Sequence, residues 1–176
     1  MSGLPPWFLP GVAASLVVSL AVSGSISRLL CVRRTVGWGL VMALGIIVSA
    51  TLTPRGDAVP VASCDLTMLG PASLARLLTV NETSLNLLLF IPLGTVLGLL
   101  PRSRRKVVIV AAAIVLPFAI EAIQLIAPYL SRACQAADIA NNLTALAFGL
   151  VLGTAGGRLI RTRAPGRDPD PAAGLR

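Results

Sequence analysis

Apolar positions along this chain run together without the alternation of a half-buried strand or the one-sided stripe of a surface helix. They form five stretches, roughly 8–29, 35–53, 84–100, 107–126 and 137–157. Each is close to the twenty or so residues at 1.5 Å rise that cross a hydrocarbon core. Charged residues gather between them, in a short turn with Arg28, Arg33 and Arg34, in the turn Pro101 to Lys106, and after residue 157. The pattern predicts an all-α polytopic membrane bundle with a transmembrane domain over 1–157 and a tail over 158–176. The tail has too little apolar surface to fold and is expected to be disordered. A longer loop, 54–83, has an apolar patch near Ala72 to Leu78 that suggests a short interfacial helix. The first run is longer than the apolar core of a secretion signal and follows no cation, so it is read as a retained helix.

Orientation follows from the cations. Arg28, Arg33, Arg34, Arg102, Arg104, Arg105, Lys106, Arg158, Arg161, Arg163, Arg167 and Arg176 fall on one side, twelve of the fifteen. Arg55, Arg76 and Arg132 fall on the other. Because loops retained in the cytoplasm carry the excess of Lys and Arg, the N-terminus is expected outside and the C-terminus in the cytoplasm. The formal charge of +8 is then a sum of helix-end anchors. It is not a basic face for nucleic acid, and no nucleic-acid partner is expected.

Composition narrows the chemistry. With 55% hydrophobic and 12% charged residues, and a mean hydropathy of +0.85, a soluble enzyme is excluded. The chain has no histidine and three cysteines, which removes the usual zinc, haem and histidine-activated nucleophile sets, so no metal and no cofactor are expected. Cys64 and Cys134 share the expected outer side, whereas Cys31 lies on the inner one. The first two are either a disulfide in an oxidising compartment or two unrelated small apolar residues.

Helices in lipid associate through small residues and buried polar contacts. Ser15, Ser19, Ser23 and Ser27, then Gly94 and Gly98, then Gly149, Gly153 and Gly157 recur at four-residue spacing and predict packing faces. Pro92 and Pro117 predict kinks in the third and fourth helices.

The informative residues are polar groups inside the spans, because an acidic side chain near a helix centre costs roughly 2.5–3.5 kcal/mol and normally faces an interior. Glu121 is placed about 8 Å below the outer boundary, with Gln124 on the same face one turn nearer the surface. Asp138 opens the fifth helix, and Asn142 follows one turn deeper. Asn141 points about 100° away from Asn142, so only one of the two is expected inside. Asn86 enters the third helix at the same boundary, and Arg132 lies in the loop between the last two helices. Together these residues outline an outer-leaflet polar pocket. The same groups also admit a plain structural reading, in which Glu121 pairs with Arg132, Asp138 caps its helix and Asn142 bonds a neighbouring backbone.

Three motifs stand in order: Asn86, Phe90, Pro92 and Gly94; Glu121 and Gln124; then Arg132, Asp138 and Asn142 running into Gly149. On these residues the stretch 84–157 resembles the VanZ-like membrane proteins. Two positions depart from that pattern: Gln135 stands where an acidic residue is frequent, and Ala145 where a glycine often follows the asparagine. The resemblance implies a multi-pass protein of the bacterial plasma membrane that affects susceptibility to teicoplanin-type lipoglycopeptides. The reading of the residues favours a non-enzymatic protein with membrane lipid and a lipid-linked or amphipathic envelope ligand as partners, and it allows an oligomer. Two alternatives stay open, an intramembrane enzyme acting on a lipid-linked envelope precursor and a small transporter subunit.

Overall fold

A computed structural model describes residues 7–54, 64–66, 82–132 and 134–163, with only the backbone course for residues 82–87, 161 and 163. Among the described residues the helices are α1 (Phe8–Leu30), α2 (Arg34–Thr51), α3 (Glu82–Leu99), α4 (Arg104–Ile126) and α5 (Ala136–Arg163). A 3-10 turn, Pro128–Leu130, follows α4, and two short strands, β1 (Cys64–Asp65) and β2 (Cys134–Gln135), pair in parallel. Among the described residues four helices, α1, α2, α4 and α5, are long and apolar enough to cross a membrane. The chain is a helical membrane bundle. The interfacial helix expected near Ala72 to Leu78, the start of the chain before Trp7 and the tail beyond Arg163 lie outside the described residues.

Local chemistry sets the helix ends. At the end of α1, Cys31 adopts a left-handed conformation with φ of 55°, where its N–H reaches Arg28 O and that of Val32 reaches Ser27 O. These paired bonds form the motif that satisfies the last carbonyls of a helix. α2 stops just before Pro54, which disfavours helical geometry at Thr53. Ser103 caps α4 by accepting the Lys106 N–H at 3.2 Å. α4 ends at Ala127, ahead of Pro128. Both α3 and α4 continue through their internal prolines, Pro92 and Pro117. α5 runs to Arg163, beyond the expected limit at residue 157, because a helix leaving the hydrocarbon can continue into water.

The helices pack in the order α1, α2, α3, α5, α4. α1 and α2 form an antiparallel hairpin whose contact is the predicted serine stripe: Ser15, Ser19, Ser23 and Ser27 are all buried. They face glycines of α2, so that a Cβ on Gly45 would fall 2.5 Å from Ser15 Cβ. Across the hairpin, Ser27 Oγ reaches Arg33 O, just ahead of α2, at 3.5 Å, and Ser23 Oγ accepts from Arg34 Nε at 3.2 Å, but the shorter bonds stay within α1. Ser15, Ser19 and Ser27 donate to Gly11 O, Leu16 O and Ser23 O of their own helix, at 2.7, 2.8 and 2.6 Å, which satisfies each donor within lipid.

α3 and α5 lie parallel and touch backbone to backbone. A Cβ on Gly94 would sit 3.0 Å from Gly149 Cα, and one on Gly98 would sit 2.7 Å from Gly153 Cα. Only glycine permits that approach. The core joins Leu40, Ala43 and Ile47 of α2 to Phe90, Leu93 and Leu97 of α3, with Ile120 of α4 and Ala145 and Leu146 of α5. One end of the bundle, the basic end, carries the turns with Arg33 and with Arg102 to Lys106. The other, the disulfide end, carries the strand pair and a Cys64–Cys134 disulfide with a Cα separation of 4.4 Å.

Candidate functional site

The buried face of α4 is Ala113, Pro117, Ile120, Glu121 and Gln124, one continuous stripe at helical spacing. Its apolar half anchors the helix against the core. Its last two members carry the polar groups inward for the same geometric reason, leaving Glu121 only 3% exposed.

Each polar group then has identifiable work. Glu121 Oε2 accepts the backbone N–H of Gln135 at 2.8 Å, just ahead of the first turn of α5. A carboxylate there lies at the positive end of the α5 dipole and satisfies a donor that the helix leaves open. Gln124 Nε2 donates to Thr51 O at 3.0 Å. Arg132 donates through Nε to Thr53 O at 3.4 Å and through Nη2 to Ala50 O. The last turn of α2 has no basic residue of its own. α4 and the loop after it therefore supply the donors and the positive charge that its terminal carbonyls need.

The disulfide holds this arrangement in register. It joins Cys64 to Cys134, and the strand pair places Asp65 opposite Gln135, the residue whose N–H meets Glu121. Leu130 is buried beneath the 3-10 turn, which fixes the loop that bears Arg132. Asp138 is half-buried in the first turn of α5, and the charges of Asp138 and Arg132 both act on the Glu121 carboxyl.

The two asparagines differ from expectation. Asn141 and Asn142 are 1% and 2% exposed, so both are inside. α5 at this level is contacted by α3 on one side and α4 on another, so positions 100° apart on its surface both meet protein. Asn142 Oδ1 is buried with no hydrogen-bond donor, the one such side-chain atom among the described residues. The side chain of Asn86 lies outside the described residues, although its backbone belongs to α3.

The structure thus gathers Glu121, Gln124, Arg132, Asp138 and Asn142 at the disulfide end. It adds four features that the sequence did not single out: Asn141, the Gln135 N–H, the carbonyls ending α2, and the disulfide as a fixed constraint. A usable signal for the carbonyls was present, since α2 stops at Thr51, shortly before Pro54, with no cation in its last turn while Arg132 is the nearest basic residue to α4 on that side. Among the described residues no three Cys, Asp or Glu side chains group as metal ligands. The cluster is rich in acceptors: the Glu121 carboxyl, the half-buried Asp138 and the orphaned Asn142 amide oxygen.

Residues 58–157, more than half of the chain, match the VanZ/LLP1 family model. The chain belongs to the VanZ/LLP1 family. Neither a curated protein nor a solved structure matches it. The VanZ/LLP1 region includes every residue of the polar cluster except the α2 carbonyls that Gln124 and Arg132 bind. It also contains both glycine pairs of the α3–α5 contact. The two departures from the VanZ-like pattern are accommodated. Gln135 serves Glu121 through its backbone, which any residue but proline provides, and Ala145 is 1% exposed within the core.

Proposed function

We propose that this VanZ/LLP1-family protein resides in the bacterial plasma membrane with its N-terminus and disulfide end outside. There its polar cluster receives a lipid-linked or amphipathic envelope ligand, and so lowers susceptibility to teicoplanin-type lipoglycopeptides. Two independent features support the orientation. The disulfide needs an oxidising compartment, and it lies at the end with few cations, the end that the positive-inside rule places outside.

The observation that carries the ligand reading is Asn142 Oδ1. A buried acceptor without a donor costs about 1–3 kcal/mol, which an N–H or O–H from a ligand offsets. Its neighbours along α5 and α4, Asp138 and Glu121, are also acceptors. The cluster therefore suits a hydroxyl- or amide-bearing ligand better than an anionic one. Arg132, whose planar guanidinium would otherwise suit an anion, gives donors to the α2 end at Thr53 O and Ala50 O.

The test is growth inhibition by teicoplanin and by vancomycin in a susceptible Gram-positive host expressing the wild type, Glu121→Gln, Asp138→Asn, Asn142→Leu or Arg132→Ala at matched membrane levels. Selective protection against teicoplanin that is lost with Glu121→Gln and Asn142→Leu supports the reading. Absence of protection by the wild type, or equal protection by every variant, overturns it. Orientation is read separately on Cys31, which is exposed and is the cysteine outside the disulfide. A membrane-impermeant maleimide is expected to label it only after the cells are permeabilised.

A further inference from the structure

As folded, the polar cluster is shut. Glu121, Asn141 and Asn142 are 3%, 1% and 2% exposed, so no ligand reaches the Asn142 Oδ1 acceptor until part of the structure moves aside. The element that lies on Glu121 is β2, through the bond from Gln135 N–H to Glu121 Oε2 at 2.8 Å. How β2 is held therefore governs access at that point.

The two ends of this segment are held differently from its middle. On one side Leu130 is buried, and Arg132 donates to Thr53 O and Ala50 O. On the other, Ala136 is buried and begins α5. Between these anchors β2 is held by the Glu121 bond, by a ladder of two residue pairs with β1, and by the Cys64–Cys134 disulfide. So short a ladder is marginal in water without further support, which makes the covalent bond the strongest of the three. That bond is also within reach of a partner. Cys134 is 5% exposed, but Cys64 is only partly buried, and Asp65 and Leu66 beside it are exposed.

We propose that the Cys64–Cys134 disulfide is a redox latch that keeps the polar cluster closed to its ligand, and that an extracytoplasmic dithiol protein opens it. The proposal rests on the reading of the cluster as a ligand site. One thiolate of the dithiol attacks Cys64 Sγ, the bond to Cys134 Sγ breaks, and the electron pair leaves with Cys134, which takes up a proton. The second thiol then displaces Cys64. The partner ends as a disulfide and this chain carries two thiols, reduced by two electrons. Freed from β1, β2 keeps the single Gln135 bond, and breaking it uncovers the Glu121 carboxyl. In an oxidising compartment the closed form is the resting one, and only a dithiol directed at Cys64 opens it.

The test is hydrogen exchange, read by mass spectrometry on the full chain in nanodiscs, before and after reduction with dithiothreitol, and on Cys64→Ser/Cys134→Ser. The peptide containing Gln135 is expected to exchange about fivefold faster or more in the reduced protein and in the variant, the protection carried by one hydrogen bond. Peptides of the α1–α2 hairpin are expected to stay unchanged. Exchange that ignores reduction overturns the proposal, and so does faster exchange throughout the bundle, which would make the disulfide a staple of the whole fold. A second arm compares growth under teicoplanin at matched membrane levels, where Cys64→Ser/Cys134→Ser is expected to protect more strongly than the wild type. If the wild type protects and the variant protects equally or less, opening brings the ligand nothing and the proposal falls. If neither protects while exchange still responds to reduction, the latch stands and the ligand reading falls, so the two failures are told apart.

Discussion

The two helix pairs of this bundle solve the same problem differently. In the antiparallel α1–α2 hairpin, small side chains meet glycines: Ser15 lies against Gly45, Ser27 against Gly37 and Ser49 against Gly11. In the parallel α3–α5 pair, backbone meets backbone, with Gly94 on Gly149 and Gly98 on Gly153. The first contact has a layer of hydroxymethyl groups that can be trimmed or turned. The second has none, so its distance is set by main-chain atoms. Without a hydrophobic drive between helices in lipid, that closeness is itself the source of attraction. The rigid pair lies within the region that matches the family, and its α5 member carries Asp138 and Asn142. The more adjustable pair meets that region through α2.

Substitutions at the two contacts put this contrast to the test. Gly149→Leu is expected to have the largest effect. Its side chain would have to displace the backbone of α3, since even a Cβ falls 2.9 Å from Thr95 N. The cost exceeds the about 1–3 kcal/mol of ordinary overpacking, and the protein should not yield a monodisperse peak in mild detergent. A folded Gly149→Leu protein would mean that the helices do not meet through their main chains. Gly45→Ala comes next, costing about 1–3 kcal/mol in thermal unfolding, because the atoms it meets first belong to the Ser15 side chain. Adding Ser15→Gly should restore most of that loss, a rescue with no counterpart at Gly149. The smallest effect is expected for Ser19→Ala. Ser19 is fully buried, yet its hydroxyl donates to Leu16 O of its own helix, so the change should stay within about 0.5 kcal/mol. A larger loss would show that the Ser19 hydroxyl itself binds across the hairpin, through its weak 3.9 Å contact with Met42 Sδ.

Hydropathy made the spans legible, because each helix is bounded by residues that cannot remain in hydrocarbon. Spacing made the faces legible, since Ser15 to Ser27 and the glycines of α3 and α5 each fall on one side of a helix. Partnership was not legible. Nothing along the chain says that Gly94 meets Gly149 and not a glycine of α2, because that depends on α3 and α5 running parallel with α4 returning the chain between them. The polar cluster was legible as a set of costly residues but not in its roles. Arg132 looks like a hook for an anion until the carbonyls of Ala50 and Thr53 stand in front of it. The expectation that only one of Asn141 and Asn142 faces inward holds for a helix with one protein neighbour, whereas α5 has two here.

The disulfide has a meaning for synthesis as well as for the finished fold. Its two sulfurs are separated by 70 positions, and α3 and α4 lie between them. On the orientation proposed above, with α3 and α4 both crossing, Cys64 waits as a thiol during insertion until the loop with Cys134 has emerged beside it. Were either helix to fail to cross, the two thiols would be left on opposite faces of the membrane, where no oxidant could join them. The covalent bond thus keeps a record of correct threading, written only on chains whose two intervening crossings have both been completed.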